Sequence, residues 1–164
     1  MALNLEGKKQ VVEEVSALAQ SALAVVAAEY RGLSAAQMDA LRGAAREANV
    51  TVRVVKNTLA VRALAGSAHE AMAETLTGPL VLLFSTEDHG SAAKVTKEFA
   101  KKNDKLKAKS LSIGSGALGA DRLDAIAALP NRDQAIAMLM SVMKAPVGKL
   151  ARTLAAVRDA KEAA

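Results

Sequence analysis

Few residues in this chain of 164 could do chemistry, and most of those are cations. Cysteine is absent, so neither a thiolate metal site nor a disulfide framework can form. His69 and His89 lie twenty residues apart and lack the i, i+4 spacing that puts two ligands on one helix face, so no metal is expected. The segment GSGALG, 114–119, matches GxGxxG and lies between a predicted strand and a predicted helix, as a dinucleotide fingerprint would. A second parallel strand and an acidic ribose ligand should follow, yet Pro130 and another helical pattern come instead. An α/β nucleotide-binding enzyme built on GSGALG is therefore the second reading. GxxxxGK[ST], HExxH and GxSxG are all missing, so nothing assembles a nucleophile, a base and an oxyanion site. A catalyst is not expected.

The cations remain, with a formal net charge of +5 that is unevenly spread. VRVVKNTLAVRAL, 52–64, carries Arg53, Lys56 and Arg62, and residues 91–112 carry seven lysines against Glu98 and Asp104. That lysine run, 94–109, reads equally well as a solvated helix face or as a polyanion-facing surface. Tyr30, Phe84 and Phe99 are the only aromatic residues, too few for a base-stacking platform. A nucleic-acid partner would have to be held through its phosphates and folded shape.

Several elements must position these groups. Val11, Val12, Val15, Leu18 and Ala19 recur at helical spacing within 8–20. LAVVAAEY, 23–30, and LVLLFS, 80–85, are continuous apolar runs of the kind buried on both faces of a sheet. Ser34 and Gln37 form a capping box that starts a helix near Ala35. VTVRVV, 50–55, alternates as a strand, with Asn57 as N-cap of the next helix and Gly66 as its terminator. Further patterns predict a helix over 92–103, a strand over 107–116 and a helix over 121–129. Alternating helices and strands predict an α/β layered domain, residues 1–130, with a mixed sheet of about four strands and flanking helices.

Residues 131–164 show only a long helical pattern, interrupted or kinked near Pro146 and Gly148. Ile136, Leu139, Met140 and Met143 form one apolar stripe, which resumes as Val147, Leu150, Leu154 and Val157. Some thirty residues of helix span roughly 45 Å, more than a domain of this size can cover, so part of the stripe calls for another protein. A membrane-surface helix is a further reading, disfavoured by the alanine-rich faces. Near the N-terminus, Lys8 and Lys9 precede an apolar stretch as in a signal peptide, but Glu13 and Glu14 intervene. No apolar run reaches the roughly eighteen residues of a membrane span, and a cytoplasmic protein is expected.

YRGLS (30–34), VVKNTLAVRA (54–63), TGPLVLLF (77–84) and GKLARTLAAVRDAKEAA (148–164) together resemble the bacterial ribosomal protein L ten family, the stalk-base proteins of the large subunit and counterparts of the archaeal and eukaryotic P-zero protein. The resemblance runs essentially end to end. It implies a ribosomal scaffold without cofactors, whose N-terminal domain binds large-subunit ribosomal RNA. Carried over by motif, the implied RNA-side positions are Arg31, Gly32, Arg53, Lys56, Asn57, Thr58 and Arg62, with Lys8 and Lys9 beside them. The stalk-dimer side falls on the eight stripe residues of the C-terminal helix, divided by Pro146 and Gly148 into two segments for two dimers of the acidic stalk protein. A neighbouring stalk-base ribosomal protein and, indirectly, translation GTPases are implied partners. Repression of the protein's own message is also implied.

Overall fold

The computed structural model describes residues 4–114 and 116–162, and the chain falls into two compact units, Met1–Leu129 and Pro130–Ala164. In the first, α1 (Leu5–Ser21) leads to β1 (Ala24–Glu29), α2 (Ala35–Glu47), β2 (Val50–Val54) and α3 (Asn57–Leu64). A 3₁₀ turn, Glu70–Thr75, precedes β3 (Leu80–Ser85), α4 (Ser91–Lys102), β4 (Lys107–Ser112), β5 (Ala117–Gly119) and α5 (Leu123–Ala127).

The sheet has five strands in the order β2-β3-β1-β4-β5, and every pairing is antiparallel. The α/β class with flanking helices and a long C-terminal helix is as expected, while the sheet is antiparallel rather than mixed and has five strands where about four were expected. β1 and β2 run the same way, as a helical crossover through α2 requires, but β3 slots between them; likewise β1 slots between β3 and β4. Each crossover skips one strand, a split βαβ arrangement, so nearest neighbours oppose although the chain alternates helix and strand.

β1 and β3 are continuous apolar runs because both sheet faces are covered. On one face Val26, Val81, Leu83 and Leu111 pack with Leu41 and Ala45 of α2 and with Ala92, Val95 and Phe99 of α4. On the other, Val25, Leu82 and Phe84 pack with Val15 and Ala19 of α1, Ala60 and Leu64 of α3, and Met72. β2 is an outer strand whose burial fades from Val50 to Val54, and Val54 is 46% exposed.

Ser34 accepts from the Gln37 N–H while Gln37 Oε1 accepts from the Ser34 N–H, so α2 starts at Ala35 as the capping box predicts. Gly66, at φ +77°, follows the end of α3 in the left-handed conformation. Asn57 departs from its predicted role. Lys56 occupies the N-cap position, and the Asn57 amide instead donates to Gly78 O at 2.9 Å, because that carbonyl is turned toward it by the Gly78–Pro79 loop.

The strand predicted over 107–116 ends at Ser112, and the glycines after it close a hairpin. Gly114 and Gly116 have φ of +76° and +127°, and Ala117–Gly119 pairs with β4. Ser115 lies outside the described residues. Because Gly114 and Gly116 lie between β4 and β5, and Gly119 ends β5, the first two fingerprint glycines lead into a paired strand rather than the helix that would receive a pyrophosphate, and the dinucleotide reading fails.

In the second unit, α6 (Arg132–Glu162) runs unbroken through Pro146 and Gly148. Proline removes one ladder donor, the bond otherwise made to Val142 O, and the helix continues on both sides of it. At its start, Asn131 Oδ1 accepts from the Arg132 N–H at 2.5 Å, and Gln134 Oε1 accepts from the Asn131 N–H at 3.1 Å.

Candidate nucleic-acid interface and exposed helix

Antiparallel pairing brings the ends of β1 and β2 and the starts of β3 and β4 to one end of the sheet, where Glu29 stands opposite Leu80 and Lys107, and Val54 opposite Val81. Segments far apart in the chain meet there. Tyr30, Val54 to Thr58, and Gly78 to Leu80 line one groove of about 440 Å³. The Tyr30 N–H donates to Pro79 O at 3.4 Å, and the Asn57 bond to Gly78 O ties α3 to the same loop. Tyr30 itself is half-buried against the core. Gly32 follows at φ +89°, so glycine serves the turn; a Cβ there would make an ordinary contact, 3.4 Å from Lys105 Cδ.

Arg31, Lys56, Lys105 and Lys107 are exposed at or beside this corner, and none has an ion-pair partner among the described residues. Lys105 and Lys107 belong to the lysine run 94–109, which the sequence alone leaves undecided between a solvated face and a polyanion-facing surface. Their placement depends on β4 pairing with β1, which no local pattern announces. Elsewhere in the lysine run, Lys97 pairs with Asp124 at 2.9 Å and Lys109 bonds Thr77, so these two ammonium groups have internal partners.

The nine implied RNA-side positions therefore divide among three places. Arg31, Gly32, Lys56, Asn57 and Thr58 share the corner. Lys8, Lys9 and Arg62 line a separate groove of about 610 Å³ between α1 and α3, together with Leu5, Val12 and Leu59. Arg53 stands apart, 3.6 Å from Glu14 on α1, with both side chains more than half exposed.

His69 is a core residue. It is 1% exposed; Nε2 donates to Ala22 O at 3.1 Å, and Nδ1 accepts from the Ser112 hydroxyl at 2.9 Å. Among the described residues no group of three His, Asp or Glu side chains could hold a metal ion, and no helix is long and apolar enough to cross a membrane.

On α6, all eight stripe residues, Ile136 to Val157, are between 49% and 73% exposed. Met138 and Val142, at 57% and 67%, were not part of the predicted stripe. Met138 lies roughly 200° around the helix from Ile136, so the first half of α6 has apolar side chains on a second side.

The class that emerges is a layered α/β domain with cations gathered at one sheet end, followed by a helix with a long exposed apolar row and, among the described residues, no metal-binding cluster. The chain belongs to the ribosomal protein L10 family: the model described as ribosomal protein L10 matches residues 3–101, and that of the ribosomal protein uL10 C-terminal region matches 129–164. It is similar to the large ribosomal subunit protein uL10 of Hydrogenovibrio crunogenus, 58% identical over 163 residues, covering 99% of this chain and 98% of that one. The corresponding protein of Halorhodospira halophila is 53% identical over 175 residues, with both chains covered fully, and that of Pseudomonas fluorescens 51% over 164 residues, covering 100% of this chain and 99% of that one. The family is a structural constituent of the large ribosomal subunit in the bacterial cytoplasm, and it is not an enzyme family.

Proposed function

We propose that residues 1–130 grip folded large-subunit ribosomal RNA at the stalk base and that residues 131–164 carry dimers of the acidic stalk protein, which in turn recruit GTP-bound translation factors. The observation that carries the RNA half is the corner itself. Three motifs separated in sequence, YRGLS, VVKNTLAVRA and TGPLVLLF, all contribute to one groove, with Arg31, Lys56, Lys105 and Lys107 at or beside it and without ion-pair partners among the described residues. Such cations neutralise phosphates and release counterions. Lys8, Lys9 and Arg62 extend the contact along the α1–α3 groove.

The second half is supported by the exposed apolar row of α6. Ile136, Leu139, Met140 and Met143 form one docking segment, and Val147, Leu150, Leu154 and Val157 another, giving two dimers as helix-in-groove complexes. The same RNA surface would let the protein bind its own message and repress translation where that message copies the ribosomal fold.

The test is salt-dependent binding to purified large-subunit ribosomal RNA. Lys56→Ala should weaken binding and lower the log–log salt slope by roughly one. An unchanged slope would place Lys56 away from the phosphates.

A further inference from the structure

Among the described residues β2 pairs with β3 alone, so along its other side alternate residues turn their backbone N–H and C=O groups outward. That open edge floors a groove of about 590 Å³ rimmed by Arg42, Arg46 and Arg53. Arg42 and Arg46 come from α2, which covers one face of the sheet, whereas Arg53 turns to the other face, toward Glu14 of α1. Cations thus flank the edge on both sides.

Their local pairing is weak. Arg42 meets Asp39, one turn back, at 3.2 Å with both groups exposed; Arg46 has no ion-pair partner among the described residues. The spacing of Arg42 and Arg46 at i, i+4, roughly 6 Å along the axis, sets like charges side by side on one helix face, where they repel unless an anion comes between them. Guanidinium groups fit phosphate oxygens two by two. Val54 lines both this groove and the corner that holds Lys56, so the two surfaces are continuous.

We propose, on the ribosomal RNA reading above, that an RNA backbone runs along the open edge of β2, its phosphates held by Arg42, Arg46 and Arg53 before it reaches the Lys56 corner. The competing occupant is an acidic polypeptide strand added to the sheet. Strand addition needs backbones about 4.8 Å apart, and long charged side chains on an edge obstruct that approach. A phosphate chain meets the guanidinium groups at side-chain length and avoids the obstruction.

The experiment titrates the full chain with purified large-subunit ribosomal RNA across a salt series, comparing wild type, R42A/R46A, R42K/R46K and K56A, with α-helical content checked by circular dichroism. R42A/R46A should bind at least tenfold more weakly at physiological salt, with a slope shallower by about 1.4 to 1.8, since each phosphate contact contributes about 0.7 to 0.9. R42K/R46K should restore the slope because it keeps both charges, which loss of a merely structural role would not do. If wild type fails to bind the RNA, the RNA reading and this edge fall together. If K56A lowers the slope while R42A/R46A matches wild type, the edge alone is overturned. A photo-crosslinker at position 46 that captures ribosomal protein instead of RNA in assembled subunits would also overturn it, in favour of the added strand.

Discussion

Replacing Leu150 and Leu154 by alanine should cost stalk-dimer binding and leave the folded domain untouched. The two residues are 61% and 63% exposed and stand one turn apart on the apolar row of α6. Each substitution removes three carbons worth about 0.8 kcal/mol apiece on full burial. Because roughly 60% of each side chain remains to be buried, the loss is about 1.5 kcal/mol per residue. Together that is about 3 kcal/mol, or on the order of a hundredfold in Kd, if the neighbours act additively. Isothermal titration of the full chain with purified acidic stalk dimers reads the outcome directly. The segment from Val147 to Val157 should lose its dimer, and the tight-binding stoichiometry should fall from two dimers per chain to one. Unchanged affinity and stoichiometry would refute the docking role of this segment. A fall in the melting temperature of the N-terminal unit would refute it differently, by showing that the row stabilises that unit.

Two stability predictions follow from the domain. Phe84 is fully buried, so Phe84→Ala should lower unfolding stability by about 3 to 5 kcal/mol, read from the urea midpoint at unchanged slope. Ser34→Ala removes one half of the capping box and should cost about 1 kcal/mol, while Ser34→Asp, which keeps an acceptor for the Gln37 N–H, should retain most of the stability.

Much of the fold was legible locally. The Ser34–Gln37 box set the start of α2, Gly66 the end of α3, and the apolar runs at 23–30 and 80–85 marked strands covered on both sides. Neighbour relations were not, because interposing β3 between β1 and β2 leaves no trace in the periodicity of any one segment. GSGALG was set aside as a dinucleotide fingerprint on the sequence alone, but its hairpin was not legible: glycines permit left-handed turns into a helix and into a hairpin alike, and the pairing of Leu111 with Leu118 decides between them. Asn57 was chosen as a cap from its type and position, and a tertiary acceptor, Gly78 O, took its amide instead. At the candidate site, Lys56 and Arg31 could be named from motifs, whereas Lys105 and Lys107 required the β1–β4 register. The α6 row was readable because its period is intrinsic to one helix.

The central claim is a division of labour between two parts of one chain, and both buried cores lie in residues 1–129. The most direct measurement titrates the full chain and a version ending at Leu129 against large-subunit ribosomal RNA and against acidic stalk dimers. The shortened chain should keep its RNA affinity and salt slope, remain folded, and lose all dimer binding. Loss of RNA binding by a folded shortened chain, or dimer binding retained without residues 130–164, would contradict the account.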